Sequence, residues 1–293
     1  MKNQKLLKGY ALVMLSALLF GCMPLITTYI YREGISRESV VLMRNMLALP
    51  LLGLLSWRQS KSMGIPLKAL PAIGAIALMG CCVTPLLLYS SYQHIATGTA
   101  TVFHFIYPAV VVLIGLLFQG KKISKGTLCA VLICVLGIGL FYNPADPLDW
   151  TGCGLALASG VTYAAYVVLL SGFRYKEVAG FKLSFYVSTI CTVVMLAVCL
   201  ATNKLTLPTT GMGWLLSILL ALVINVGAVV MFQKGTFYIG GERASVLSTL
   251  EPLTGVIVGV AVFSEKITAF AAVGAALVIL ACILIAVTDA KKK

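Results

Sequence analysis

Two apolar stretches of this chain, at residues 100–123 and 244–267, carry the same residue pattern 144 positions apart. Setting Pro108 on Pro252 also pairs Ile95 with Ile239, Ala100 with Ala244, Val102 with Val246 and Gly115 with Gly259. A second alignment, shifted by one residue, pairs Gly9 with Gly152, Leu12 with Leu155 and Ser16 with Ser159. Identity at a fixed offset indicates an internal duplication. The chain is therefore predicted to contain two copies of one structural unit.

The composition places both copies in lipid. Hydrophobic residues make up 60% of the sequence and charged residues 11%, with a mean hydropathy of +1.02, whereas soluble domains contain about 25% charged residues. A helix needs roughly 20 apolar residues to cross a hydrocarbon core of roughly 30 Å. We therefore predict an all-α integral membrane protein with ten transmembrane helices. The predicted spans are 9–30, 40–57, 67–89, 99–118, 126–142, 151–172, 181–201, 213–232, 244–263 and 268–288.

The positions of the basic residues predict how the chain is oriented. With the N-terminus taken as cytoplasmic, the inner loops hold seventeen Lys and Arg residues and the outer loops hold four, while Arg44 lies within a span. This bias predicts a multi-pass protein of the cell membrane, of the bacterial cytoplasmic type, with both termini cytoplasmic. The net charge of +13 is thereby assigned to topology and to contact with anionic lipids of the bilayer. Because the charges are scattered over short loops, nucleic acid is not an expected partner.

A short polar linker at 143–150 divides the chain into a first five-helix repeat at 1–142 and a second at 151–293. The linker contains two prolines and two aspartates and no basic residue, which places it on the outer side. Because each half has an odd number of spans, the second half enters the membrane from the opposite side. We therefore predict two inverted five-helix repeats, an arrangement that supports alternating access and locates a substrate site where the repeats meet.

The nine cysteines lie almost entirely inside apolar spans. We interpret them as small buried hydrophobic residues. The sequence has no C-x-x-C pair and no Cys/His cluster, so neither a metal site nor a cofactor is expected. It also lacks a nucleotide-binding motif, which disfavours ATP-driven pumping.

The ends of the fourth and ninth spans complete a recognisable pattern. Pro108 is followed by FQGKKI at 118–123, and Pro252 is followed by FSEKI at 263–267. With ten spans in two inverted fives and short loops, the whole chain resembles the drug/metabolite transporter superfamily, EamA type. The resemblance implies an exporter of amino acids, related metabolites or toxic small molecules. It also implies that the first four helices of each half line a central cavity, whereas the fifth and tenth are peripheral and help repeats or subunits pack, which leaves a homodimer open.

Glu251 is the strongest candidate for a residue on the substrate path. A charged side chain at a helix centre costs about 2.5 to 3.5 kcal/mol on insertion scales. Glu251 lies near the membrane midplane by residue count, and Pro252 lacks the N–H that would continue the helical ladder. Its repeat counterpart is Tyr107, so the breaks at Pro108 and Pro252 are expected to face one another. Glu251 would bind a substrate ammonium or take up a proton; the alternative is a hydrogen bond or ion pair within the bundle.

Arg44 has two interpretations. It lies about seven residues inside the second span, so its long side chain could reach the outer interface and leave the charge in water. Alternatively, its guanidinium grips a substrate carboxylate through two hydrogen bonds. Together with Glu251 it would form a site of both signs, as a zwitterionic amino acid requires.

The remaining candidates are polar residues within or near spans. His104 is either a proton carrier, because its unperturbed pKa is about 6.5, or a hydrogen-bonded core residue. Asn225 is either a path residue or a link between helices. The further candidates are Ser248, one turn from Glu251, together with Tyr163, Tyr166, Gln93, Tyr89, Tyr92 and Asn45.

These features favour a secondary transporter of small metabolites, an exporter of amino acids or related amphipathic compounds that works by alternating access, with coupling to protons left open. One alternative is a membrane-embedded enzyme. The sequence contains no H-E-x-x-H motif, no pair of intramembrane aspartates and no nucleophile with an evident base, so we expect no enzyme activity. The other alternative is a structural bundle that transports nothing.

Overall fold

The computed structural model describes residues 2–95, 97–118, 120, 124–140, 149–178, 180–254, 257 and 269–290, and all regular structure within these ranges is helical. We label the helices α1 (Gln4–Arg32), α2 (Arg37–Ser60), α3 (Leu67–Ser91), α4 (Thr99–Phe118), α5 (Lys125–Gly139), α6 (Trp150–Ser171), α7 (Phe181–Ala201), α8 (Gly211–Ile239), α9 (Gly241–Leu247) and α10 (Ala269–Ala290). Within the described ranges, seven of them, α1 to α4 and α6 to α8, are long and apolar enough to cross a membrane.

Several of these helices are interrupted. Turns divide α1 at Cys22, α2 at 47–48 and α4 at 105–106. Helix α3 contains a π-helical segment at Ala77–Val83, and α8 contains one at Ala221–Val229. Beyond α9, a helical stretch at 250–254 follows a turn at 248–249. At these interruptions some backbone N–H and C=O groups lose the hydrogen-bond partners that they would have in a continuous α-helix.

The outer surfaces of the helices are apolar. On α5, for example, Leu128, Leu132 and Leu136 repeat every fourth residue and are 45%, 56% and 67% exposed. Exposed leucine stripes of this kind recur over many of the helices, and an apolar surface of that extent is stable in hydrocarbon and not in water. The chain is a multi-pass membrane protein.

The predicted spans agree with the described helices more closely in their centres than in their ends. The predictions 99–118 and 181–201 coincide with α4 and α7. Helix α8 continues to Ile239, beyond the predicted end at 232, and includes the half-buried Lys234, whose ammonium lies 3.8 Å from the centre of the Phe181 ring. The predictions 126–142 and 268–288 correspond to α5 and α10, whereas most of the linker at 143–150, the second half of the ninth span and the motif residues 121–123 and 263–267 lie outside the described residues.

Helix starts are fixed by polar caps. Asp149 caps α6: its Oδ1 accepts a hydrogen bond of 2.6 Å from the Thr151 N–H, and its Oδ2 lies 3.1 Å from His94 Nδ1. Both contacts favour the ionised carboxylate, the backbone bond most strongly, and hold the pKa of Asp149 below its usual value. Ser36 and Thr210 cap α2 and α8 in the same way.

The two halves of the chain pack in equivalent ways. Helix α1 packs on α8 and α6 packs on α3, while α2 packs on α7 and α5 on α10. The two π-helical segments begin 144 residues apart, at Ala77 and Ala221. Glycines at matched positions allow the closest approaches, because a Cβ on Gly9 would lie 2.6 Å from Ile239 and a Cβ on Gly152 would lie 2.9 Å from Ile95. The sequence duplication is therefore expressed as a duplicated set of helix contacts.

These glycine contacts predict a position-specific loss of stability. We expect Gly152→Ala to lower the free energy of unfolding by about 1 to 3 kcal/mol, because the new methyl group would overlap Ile95 and the Cβ of His94. Gly154→Ala, two residues further along α6, meets no atom within 4 Å and should be neutral or stabilising by up to about 1 kcal/mol. Thermal unfolding of the two purified variants in detergent measures the difference, and equal melting temperatures would contradict the proposed packing.

Candidate functional site

A cavity of about 60 Å³ lies between the two halves of the bundle. It is lined by Phe20, Met23, Arg44, Gly80, Cys81, Thr84, Pro85, Leu88, Tyr89, His104, Tyr163, Tyr166, Val229 and Glu251. These residues come from α1, α2, α3, α4, α6 and α8 and from the stretch at 250–254. Arg44 lies seven residues from the start of α2, about 10 Å along that helix, and Glu251 is the second residue of the helical stretch at 250–254.

Arg44 is held in the wall of this cavity. Its side chain is 4% exposed, so it does not extend to the outer interface as the first interpretation of the sequence allowed. Its Nη1 donates to the Tyr89 hydroxyl at 3.3 Å and approaches the Met23 sulfur at 3.7 Å. The Nε is buried with no hydrogen-bond partner in the described chain, and none is formed there by Nη2 either. One edge of the guanidinium therefore keeps its donors free.

Glu251 is positioned by a break in its helix. After α9 ends at Leu247, the Glu251 N–H bonds to the Ser248 carbonyl at 3.0 Å, a tighter turn than an α-helix makes. Pro252 follows in the first turn of the resumed helix, where a missing N–H costs little. The carboxylate is partly exposed to the cavity, and among the described residues it receives no hydrogen bond and no ion pair. Arg44 thus lines the same cavity but forms no ion pair with this carboxylate.

The equivalent break in α4 positions His104 and Tyr107. The first segment of α4 ends at His104, and the second begins at Tyr107. The His104 Nδ1 lies 2.8 Å from the Ser159 hydroxyl of α6. Helix α6 also packs closely on the His104 carbonyl at Gly160, because a Cβ on that glycine would lie only 2.5 Å from the carbonyl oxygen. The Tyr107 hydroxyl is hydrogen-bonded to Ser248, which joins the two breaks across the centre of the bundle.

Aromatic rings form the side of the cavity next to His104. The rings of Tyr163 and Tyr107 meet edge to face at 4.7 Å, and the Tyr163 and His104 rings are 5.4 Å apart. Tyr166 stacks on Phe232 at 6.1 Å and presses against Gly80, where a Cβ would lie 2.3 Å from the ring. This side of the cavity wall is therefore aromatic and mostly apolar.

The structure brings some of the predicted residues together and separates others. Arg44, His104, Tyr163, Tyr166 and Glu251 line the cavity. Tyr107 and Ser248 are buried behind it. Gln93 is exposed at the end of α3, where it accepts a hydrogen bond of 2.7 Å from Arg37. Asn225 donates to Asn45 at 2.7 Å and links α8 to α2, which corresponds to the helix-linking interpretation.

Among the other lining residues, Tyr89 was a further candidate from the sequence, whereas Met23 and Thr84 were not singled out. Met23 and Tyr89 close over Arg44, with the Tyr89 hydroxyl 3.3 Å from the Met23 sulfur. Thr84 shares a hydrogen bond of 2.7 Å with Thr162. The sequence signal for this region is the Thr84-Pro85 pair inside an apolar span, since proline in a membrane helix marks a local rearrangement of backbone bonds. Over the part of the chain described, no group of three His, Cys, Asp or Glu residues could hold a metal ion.

The fold and cavity define a class: a multi-pass helical membrane protein with a small polar site between two related halves, as in transporters. The EamA-like transporter family matches this chain twice, at residues 7–143 and 150–287. The chain therefore belongs to that family, which is part of the drug/metabolite transporter superfamily. As a membrane transporter it contacts lipid and acts on a small-molecule substrate.

Relatives and a solved structure agree with this assignment. An uncharacterized transporter of Archaeoglobus fulgidus is 28% identical over 71% of this chain and 75% of its own length. Uncharacterized transporter YcbK of Bacillus subtilis is 24% identical over 91% of this chain and 88% of its own. One crystal structure, titled only as that of a protein, aligns over 97% of this chain and 98% of its own, with a TM-score of 0.71 and 17% identity, and shares the fold.

The Asn225 contact predicts a stability effect without a substrate effect. We expect Asn225→Leu to lower the free energy of unfolding by about 1 kcal/mol, because Asn45 loses its partner inside the bundle. The double variant with Asn45→Leu should be less destabilised than the sum of the single variants, since neither amide is then left unpaired. A thermal double-mutant cycle measures this coupling. An increase in the substrate KM of Asn225→Leu would instead assign Asn225 to the path.

Proposed function

We propose that this protein is a secondary transporter that exports amino acids or related amphipathic metabolites by alternating access. In this proposal ten spans form two inverted five-helix repeats, at 1–142 and 151–293, in a bacterial cytoplasmic membrane, with both termini cytoplasmic. Family membership, the matched helix contacts of the two halves and the positive-inside bias support it.

The observation that carries the proposal is the pair of unneutralised charged groups in one cavity. Arg44 and Glu251 both line it, and neither reaches an oppositely charged partner within the described chain. A charge held inside a bundle without a partner is costly, and that cost is offset when a ligand of opposite charge arrives. The free edge of Arg44 fits a carboxylate with two parallel hydrogen bonds, while Glu251 fits an ammonium.

The remainder of the cavity wall sets the substrate class. Phe20, Leu88, Tyr163, Tyr166 and Val229 present apolar or aromatic surface beside the two charges. A small zwitterion with an apolar portion satisfies all of these surfaces together. A purely anionic or purely cationic solute would leave one buried charge without a partner.

The size of the cavity supports alternating access. At about 60 Å³ it holds only a few water molecules at 10 to 15 Å³ each, whereas ligand pockets are commonly about 300 Å³ or more. The helices must therefore move apart on one side to admit a metabolite. The breaks at 105–106 and 248–249 and the π-helical segments provide places where the helices bend.

Proton coupling follows from the position of Glu251. A proton and a substrate ammonium would compete for the same carboxylate, because it has no other partner among the described groups. Release of the ammonium on one side and protonation of Glu251 before the return step would exchange substrate for proton. Export would then draw on the proton gradient.

The inverted topology predicts opposite accessibility of two matched exposed sites. Gln59 and Asn203 are 144 residues apart and exposed at the ends of α2 and α7. In a variant without the native cysteines, Asn203→Cys should react with an impermeant maleimide added to intact cells. Gln59→Cys should react only after the membrane is permeabilised. Labelling of both sites from the same side would contradict the inversion.

The two charges predict separable effects on substrate recognition. In proteoliposomes, Arg44→Gln should raise the KM for both alanine and propionate by about 10- to 100-fold, because each carboxylate loses a charged hydrogen-bonding partner. Glu251→Gln should raise the KM for alanine to a similar extent and leave propionate, which has no ammonium, unaffected or improved.

Two exposed residues provide matched controls for this experiment. Arg32→Gln and Glu177→Gln remove the same charges at exposed positions outside the cavity and should keep the wild-type KM. Retention of wild-type kinetics for both solutes in Arg44→Gln and Glu251→Gln would exclude a charge-paired site.

A further inference from the structure

The two ring nitrogens of His104 are in different surroundings. The Nδ1 lies 2.8 Å from the Ser159 hydroxyl oxygen. That hydroxyl also lies 2.6 Å from the Ala156 carbonyl oxygen of its own helix. Two oxygens this close attract one another only if a hydrogen lies between them, so the single hydroxyl hydrogen of Ser159 is directed at Ala156. The hydrogen of the contact with His104 must therefore come from the ring, and Nδ1 carries it.

This assignment fixes the chemistry of the other nitrogen. In a neutral imidazole with a hydrogen on Nδ1, the Nε2 has a lone pair and accepts hydrogen bonds. Within the described chain no hydrogen bond to Nε2 is found, and His104 is one of the residues that line the cavity. Packing against Phe105, Tyr107 and Tyr163, at centroid distances of 5.6, 5.5 and 5.4 Å, holds the ring in this orientation. An acceptor without charge is thus presented in the same cavity as the Glu251 carboxylate.

We propose that His104 is a specificity-determining residue whose Nε2 accepts one N–H of a substrate ammonium while Glu251 accepts another. This inference rests on the zwitterion transport proposed above and adds a selection rule to it. Primary and secondary ammonium groups carry at least two N–H donors and satisfy both acceptors. Tertiary ammonium groups satisfy one, and quaternary ammonium groups satisfy none. The transporter therefore selects substrates by the number of N–H groups on the charged nitrogen.

The physical basis of this selection is the cost of an unmade hydrogen bond. A tertiary ammonium still neutralises Glu251, but it covers His104 with methyl groups and leaves Nε2 without water or a donor. A buried acceptor left in this way lowers affinity by about tenfold. The second repeat has no equivalent acceptor at this position, because the counterpart of His104 is Ser248. The Ser248 hydroxyl already contacts the Ala244 carbonyl at 2.9 Å and the Tyr107 hydroxyl.

The test compares isomers that differ in N–H count and not in size. Both compounds have the same atomic composition, but 2-aminoisobutyrate has three N–H groups and N,N-dimethylglycine has one. Binding of each to purified protein in nanodiscs gives their ratio of dissociation constants. We expect the wild type to bind 2-aminoisobutyrate about tenfold more tightly than N,N-dimethylglycine.

Two substitutions at His104 distinguish the acceptor at Nε2 from the donor at Nδ1 that contacts Ser159. His104→Asn keeps a donor near the Nδ1 position and removes the acceptor at Nε2, so the two isomers should bind equally. His104→Gln places an amide oxygen near the Nε2 position and should restore the preference for 2-aminoisobutyrate. His94→Asn is the matched control, since His94 lies outside the cavity and is the one other histidine of the chain. Size-exclusion profiles and melting temperatures verify that each variant is folded.

A spectroscopic measurement tests the tautomer without relying on transport. In ¹⁵N-histidine-labelled His94→Asn protein, His104 is the only remaining histidine, and its spectrum should show a protonated Nδ1 and an unprotonated Nε2. A protonated Nε2 would overturn the inference, as would an unchanged isomer ratio in His104→Asn. Failure of the proposed function has a different signature: neither isomer would bind the wild type, whatever tautomer the spectrum shows.

Discussion

Backbone hydrogen bonding in lipid is the constraint on which this structure depends. A peptide group without a partner is so costly in hydrocarbon that every lipid-facing segment must be helical, and irregular backbone is tolerated only where protein or water covers it. The breaks at 105–106 and 248–249 obey this rule, because they meet at the bundle centre, where Tyr107 and Ser248 are hydrogen-bonded. The cavity lies beside these breaks. The cavity therefore lies where the packed protein interior can accept incomplete helices.

The sequence predicted the parts of the fold that depend on apolar surface. Spans and repeat offset follow from hydrophobic runs and from identities such as Gly9 with Gly152, and the structure explains those identities: each glycine receives an isoleucine of the matched pair Ile239 and Ile95. Helix ends were less predictable, because a residue such as Lys234 looks like an end in the sequence and is accommodated by the Phe181 ring in the structure. That contact joins α7 and α8 and has no local sequence signal.

The sequence selected the charged residues of the cavity wall more readily than the neutral ones. A charge within a span needs a reason wherever it lies, so Arg44 and Glu251 could be selected without knowing their neighbours. A neutral polar residue within a span can either line the substrate path or form a hydrogen bond between helices, and only the packing of the folded chain distinguishes the two. Asn225 is turned toward Asn45, away from the cavity, and Gln93 is turned toward Arg37 at the rim. Met23 was not selected, because a methionine in an apolar span has no distinguishing pattern.

The two halves share a fold but not a chemistry, and this asymmetry has a consequence for transport. At the matched offset Glu251 stands against Tyr107 and His104 against Ser248, while Arg44 of α2 stands against Ser188 of α7. In the proposed alternating-access cycle the helices of the two halves would exchange conformations, whereas the polar groups of the site could not. A zwitterion bound between Arg44 and Glu251 would keep one orientation relative to the protein in every conformation. Symmetric helices would provide the motion, and asymmetric side chains would decide what is carried.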